Sequence, residues 1–354
     1  MKRITLEIDI ITPCFAGGAD PDEHAEIRAS AVRGQLRWWF RVLGGFKSLS
    51  PLTLKEQENL IFGSAAGDEA NSGLLIVRTH PNKNVHSQKM DGQDLGHRNF
   101  SSSAYLTFPI QSRERQGRKT EFAGKGVITD GSFQLQLIWR DSAKAKLNDE
   151  LLSLITVFSN LGSLGFRGRR AMGALSPARP SQISLGDALK RFTCPEAITL
   201  KSLPATSASN AISTLGAWLK SCRSHGRSGQ NEREQSSKYF NYAKNDHDLG
   251  YGLVDEPAYR PTLGLPIIQL TQGGERKWNW NWNKKENKAI GRFASPVLLR
   301  PYLDDSGWRA LVIFIESQQW PSDKKVFLGS EPRRVSLDLY EAMKSDNELE
   351  EFIS

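Results

Sequence analysis

The 354-residue sequence carries 38% hydrophobic residues and a formal net charge of +8. That gives room for two domains with real cores and a cationic surplus that favours an acidic partner, most commonly nucleic acid. No apolar run approaches ~18 residues and no signal peptide is evident, which argues against a membrane span. Cys14, Cys194 and Cys222 are widely spaced and form no metal motif, so the expected setting is a soluble protein in the reducing cytoplasm.

Residues 2–11 alternate, with Ile4, Leu6, Ile8 and Ile10 on one face, and predict a strand with one buried side. A loop follows, with Gly17, Gly18 and Pro21, and ends in Asp22, Glu23 and Glu26, acids placed to cap the next helix or to sit near its positive end. That helix is predicted over residues 27–45. Leu36, Trp39, Phe40 and Leu43 supply the apolar stripe, and Gly44 and Gly45 stop it. Arg33, Arg37 and Arg41 stack four apart along an adjacent face, where they repel one another unless water or an anion screens them. Two readings stand: a solvated arginine face whose stems cover apolar surface, or a stripe that holds a phosphate backbone. On either, Arg37→Ala is expected to cost the fold under ~0.5 kcal/mol.

A second helix is predicted over residues 54–62, stopping at Gly63, and a short strand over 74–77. His80, His86 and His97 then fall in a polar stretch, but their spacing matches no common closed zinc site and no cysteine joins them, so no metal is assigned. Residues 105–110 read as strand. The segment 111–125 is polar and basic, with Arg113, Arg115, Arg118 and Lys119, a long hairpin arm or loop able to lie on a polyanion. Residues 132–139 alternate again, and 147–158 read as helix. The block 101–180 holds 12 Lys or Arg against 6 Asp or Glu.

Residues 160–175, NLGSLGFRGRRAMGAL, combine four glycines with Arg167, Arg169 and Arg170. Glycine permits positive φ and close approach of another chain. No Gly-Lys-Ser/Thr follows, so this is not a nucleotide-binding P-loop, and its position after a helix excludes the dinucleotide fingerprint. A glycine-rich turn with three arginines suits an extended, repeatedly charged ligand; a structural turn with surface arginines is the other reading. The order strand, helix, strand, arm, strand, helix, glycine loop, strand predicts an α+β, ferredoxin-like β-α-β-β-α-β domain over 1–185. A second domain is expected over 186–354.

In that second part, a helix is predicted over 208–219. Trp278, Trp280 and Trp282 alternate with asparagine and are flanked by lysines. In a strand they share one face, which either packs on a core or stacks bases. Residues 292–302 and 310–316 read as paired strands around a turn at 304–307, and 337–353 as a terminal helix with an acidic end.

The stretches ITPCFAGGAD, IRASAVRGQLRWWFRVLGG, ENLIFGSAAG and GSLGFRGRRAMGAL together cover most of residues 4–175. This combination resembles the RAMP superfamily of CRISPR-associated proteins, and more closely the first-numbered RAMP subunits of type III-B Cmr RNA-targeting complexes; RFASPVLLRPY fits the second domain of such subunits more weakly. The resemblance implies two ferredoxin-like domains with insertions. It implies a non-catalytic subunit without cofactor that holds the 3′ region of a guide RNA, helps capture target RNA and contacts other Cmr subunits. It also points to Arg33, Arg37, Arg41, Arg167, Arg169 and Arg170 as the RNA path. Charge and alternation alone, apart from the resemblance, make Arg113, Arg115, Arg118, Lys119, Trp278, Trp280 and Trp282 candidate secondary contacts.

A ribonuclease is the alternative. Metal-free cleavage needs a base near the 2′-hydroxyl, and His24, just before the arginine helix, is the best candidate. A metal-dependent route would draw on Asp20, Asp22 and Glu23, which lack diagnostic spacing. A purely protein-bridging subunit is the third reading.

Overall fold

The computed structural model describes all residues except 66–69, 83, 91–101, 108–112, 116–117, 121–124, 143–145, 226–236, 271–276, 282, 286–287, 291 and 353–354. In chain order its first elements are β1 (Lys2–Ile10), α1 (Ala29–Val42), α2 (Leu54–Phe62), β2 (Leu75–Pro81), β3 (His86–Met90), α3 (Ser102–Thr107), β4 (Arg113–Arg115), β5 (Arg118–Thr120), β6 (Lys125–Asp130), β7 (Ser132–Trp139), α4 (Asn148–Leu161) and β8 (Leu175–Pro177). Strands β2, β7, β1 and β8 form one antiparallel sheet in that order. Numbered by sequence, its four strands run 2-3-1-4, the pattern of a β-α-β-β-α-β unit. The register sets Leu6 opposite Leu135 and Ile8 opposite Phe133. The alternation thereby buries one face, with Ile8, Phe133, Leu135 and Leu137 all excluded from solvent.

A second sheet repeats the plan. Its strands lie in the order Val297–Asp304, Gly307–Ile315, Ile198–Pro204 and Glu350–Glu351, again 2-3-1-4 by sequence. A helix at Ala208–Arg223 follows its first strand and one at Asp338–Lys344 precedes its last. The fold is therefore α+β with two ferredoxin-like sheets. The chain forms two compact units: Met1–Leu215 with Leu299–Ile313 and Glu351–Ser354, and Gly216–Leu298 with Phe314–Glu350. The second unit carries its own four-stranded sheet, Ile267–Leu270, Lys277–Asn281, Val326–Leu328 and Glu331–Arg333.

Several local expectations change. Ser102–Thr107 is helical where 105–110 read as strand, because a short apolar run carries no period of its own; 108–110 lie outside the described residues. The terminal helix stops at Lys344. Beyond it the Asp346 carboxylate is turned inward to accept from Trp218 Nε1 at 2.9 Å and from Lys238. Residues 350–351 then join the second sheet instead of extending a helix. The polar stretch after β2 contains β3, which pairs with β6; His97 lies outside the described residues. Among the described residues no helix is long and apolar enough to cross a membrane.

Candidate functional site

Helix α1 buries Val32, Leu36, Trp39, Phe40 and Val42, and Gly44 and Gly45 end it at φ 76° and 79°, a backbone state that a side chain disfavours. The anion that screens its arginines is internal. Arg37 and Arg41 both donate to the carboxylate of Glu58 on α2, Arg41 Nη2 reaching Oε1 at 2.6 Å. Glu58 is only 7% exposed. Burial alone would raise its pKa, but hydrogen bonds and charge from Arg41 and Arg37 outweigh it and hold the carboxyl below its ordinary value. Arg33 serves a different end. Its guanidinium donates to the carbonyl of Phe62, which lacks a helical partner at the end of α2, and to Leu75 O at 2.6 Å. Burial and the nearby Arg37 push its pKa down. Arg37 is thus an ion-pair partner of a buried acid, and the expectation that its removal leaves stability untouched does not survive this geometry.

The glycine-rich segment is fastened to the loop after β1 by a ladder of backbone bonds. Ile11 N–H donates to Ala174 O at 2.9 Å, Gly173 N–H to Pro13 O at 2.9 Å and Phe166 N–H to Phe15 O at 3.0 Å. At Gly173 (φ 64°) a Cβ would stand 1.9 Å from Leu164 O, so only glycine fits. Arg167 and Ala171 take positive φ without being glycine, at 65° and 69°; such strain concentrates at functional loops. The Arg167 guanidinium donates to Leu106 O, Nε at 2.8 Å. Arg170 Nη1 donates to Arg169 O at 3.1 Å. Arg169 lies over the ring of Trp38, 5.0 Å from its centroid, in cation–π range. Trp38 belongs to α1, so this contact joins the glycine loop to the arginine helix.

Beneath the loop sits Arg300, 2% exposed. It donates to the carbonyls of Asn160 and Leu175, which flank the glycine segment, and to its neighbour Pro301 O at 3.1 Å. Burial pushes its pKa down to about 9, which leaves it a cation at neutral pH. Strand Val297–Asp304 meets the loop through main-chain bonds on both sides of Arg170: Leu299 N–H donates to Arg169 O at 3.2 Å and Ala171 N–H to Leu299 O at 2.8 Å.

The remaining candidates separate. Arg113, Arg115, Arg118 and Lys119 lie in a two-stranded hairpin, with Arg115 opposite Arg118 in register; their side chains lie outside the described residues. Trp280 is 1% exposed and packs with Leu249, Leu265, Trp320, Val326 and Leu328. It is core, which corrects its assignment as a stacking contact. Trp278 pairs in register with Gln269, its side chain outside the description, and Trp282 lies outside the described residues. His24 is exposed. The acids beside it do not cap α1: Asp22 pairs with Lys125 at 3.0 Å and Glu23 with Lys89. Among the described residues no group of three or more His, Cys, Asp or Glu is placed to hold a metal.

Sequence reasoning missed Glu58, Trp38, Phe166 and Arg300. Glu58 opens the ENLIFG stretch and Trp38 adjoins the apolar stripe, so both stood in recognised motifs. What the sequence lacked was the α1–α2 and loop–helix contacts that give them partners.

The RAMP superfamily model matches residues 7–176. The CRISPR system Cmr subunit Cmr1-2 of Pyrococcus furiosus is 30% identical over 185 residues, spanning 49% of this chain and 95% of that protein. Cmr1-1 of the same organism is 26% identical over 183 residues, 51% of this chain and 49% of that protein. Among solved structures, apo Cmr1 from Pyrococcus furiosus matches with a TM-score of 0.56 at 15% identity, over 98% of this chain and 96% of that one, a likeness of fold. With the two ferredoxin-like sheets, the arginine helix and the glycine loop in place, the chain belongs to the RAMP superfamily and, within it, to the Cmr1 family of CRISPR-system subunits.

Proposed function

We propose that the chain is a non-catalytic RNA-binding subunit of a type III-B CRISPR effector complex, holding the 3′ region of the guide and helping to capture target RNA. The observation that carries this reading is the contact of Arg169 with Trp38, which ties the glycine loop to the helix that carries Arg33, Arg37 and Arg41. A repeatedly charged strand then meets both sets along one path. The guide's 3′ region and the type III-B setting rest on the family resemblance. Arg37 and Arg41 share one carboxylate, so together they offer an RNA one net positive charge. Phosphates therefore bring salt-dependent affinity with little sequence preference.

The test is a fluorescence-anisotropy titration of the full chain with single-stranded RNA at several salt concentrations, beside incubation of the same RNA with and without magnesium or manganese. The reading expects binding that weakens steeply with salt, weaker binding by Arg169→Ala, and intact RNA. No binding at low salt would defeat it in favour of the protein-bridging alternative. Products that vanish in His24→Ala, or that need metal and vanish in Asp22→Ala, would establish the ribonuclease instead.

A further inference from the structure

Phe166 is the most exposed Phe, Tyr or Trp among the described residues, at 46%. Leaving that much apolar ring in water forfeits burial energy, and the backbone keeps it there. The Phe166 N–H is bonded to Phe15 O at 3.0 Å. Gly165 before it turns at φ 81°, where a Cβ would stand 2.6 Å from the Phe15 main chain. Arg167 after it holds a left-handed φ of 65°, and its guanidinium is tied to Leu106 O. The ring is therefore presented from a fixed position. The segment that carries it is of one sign: residues 163–173 contain Arg167, Arg169 and Arg170 and no acid.

A flat apolar ring on an arginine-bearing loop matches the chemistry of single-stranded nucleic acid, whose bases stack on aromatic faces while phosphates meet cations. Three cations and no acid in the loop complement the repeated phosphates of RNA, and that charge favours this occupant over an uncharged protein surface. We infer that Phe166 is a base-stacking residue of the glycine-rich loop, taking one nucleobase of a single-stranded RNA without regard to its identity. The inference rests on the RNA-binding reading above and adds to it a contact to a base, where the arginines supply contacts to phosphates.

The experiment compares the full chain, Phe166→Ala, Phe166→Tyr and Arg169→Ala in binding an oligouridylate and an abasic ribose-phosphate oligonucleotide of equal length. Phe166→Ala should weaken oligouridylate binding at least about fivefold, with the dependence on salt unchanged. Phe166→Tyr should keep parent affinity, and the parent and Phe166→Ala should bind the abasic strand alike. If Phe166→Ala binds oligouridylate like the parent while Arg169→Ala is weakened, stacking is overturned and the phosphate path stands. If the parent binds neither strand at low salt, the RNA reading falls and this one with it. If Phe166→Ala keeps its RNA affinity but no longer assembles with purified Cmr subunits, the ring is a protein contact and the inference is overturned.

Discussion

Replacing Glu58 by glutamine separates the structural and electrostatic roles of the arginine helix. The parent carboxylate accepts from Arg37 and from Arg41, with the Arg41 Nη2 bond at 2.6 Å. Hydrogen bonds to a charged group contribute ~1.5–3 kcal/mol net. The two guanidiniums are 34% and 53% exposed at their side chains, so water screens part of that gain. Glutamine keeps the size of the side chain and one acceptor, and it returns Arg37 and Arg41 to mutual repulsion at four-residue spacing. A net loss of about 2 kcal/mol follows, or a fall in melting temperature of ~4–8 °C for a unit of this size. The pair then presents two positive charges instead of one. RNA affinity should rise, and log K against log salt should steepen by ~0.7. The pH profile carries a further sign. The Glu58 carboxyl is held below its ordinary value of 4.5 in the folded chain. It therefore stabilises the fold above that value and loses its effect as pH falls through the folded pKa, an acid-dependent loss that Glu58→Gln lacks. Differential scanning fluorimetry across pH and anisotropy across salt read both effects. A melting temperature unchanged within about 1 °C would refute the shared-carboxylate account.

Arg300→Ala should be the most damaging arginine change, at ~3–5 kcal/mol, because it strands the buried carbonyls of Asn160 and Leu175; chemical denaturation of the full chain measures it, and a cost below that of Arg169→Ala would contradict the assignment. Trp280→Ala should cost ~3–5 kcal/mol as a core truncation while RNA affinity per folded molecule stays at the parent value; loss of RNA binding with an unchanged melt would restore the stacking role. Gly173→Ala should unfold or expel the loop, since its Cβ meets Leu164 O, and limited proteolysis within residues 163–173 reports it.

Much of this was legible in the sequence because local physics specified it. The alternation in β1 and β7, the stripe of α1 and the stop of α2 at Gly63 each act within a few residues. The glycine loop declared itself through positions where only glycine fits. What stayed hidden was long-range. The counterion of Arg37 lies 21 residues away, and Trp38 meets a cation from the far end of the domain. The terminal helix broke for a similar reason: the Asp346 carboxylate serves Trp218, 128 residues distant, and no local pattern announces that. The arginines of α1 illustrate the limit best. Their spacing required a screen, and spacing alone could not say whether it was water, a phosphate or a neighbouring glutamate.

The central claim is that the arginine helix and the glycine-rich loop form one RNA path. Photocrosslinking of 4-thiouridine-substituted single-stranded RNA to the full chain, followed by peptide mapping, tests it most directly. The account predicts crosslinked peptides from both 33–41 and 163–173, lost together when Arg37 and Arg169 are replaced by alanine. Crosslinks confined to 111–125 or 277–285, unchanged in that double variant, would contradict it.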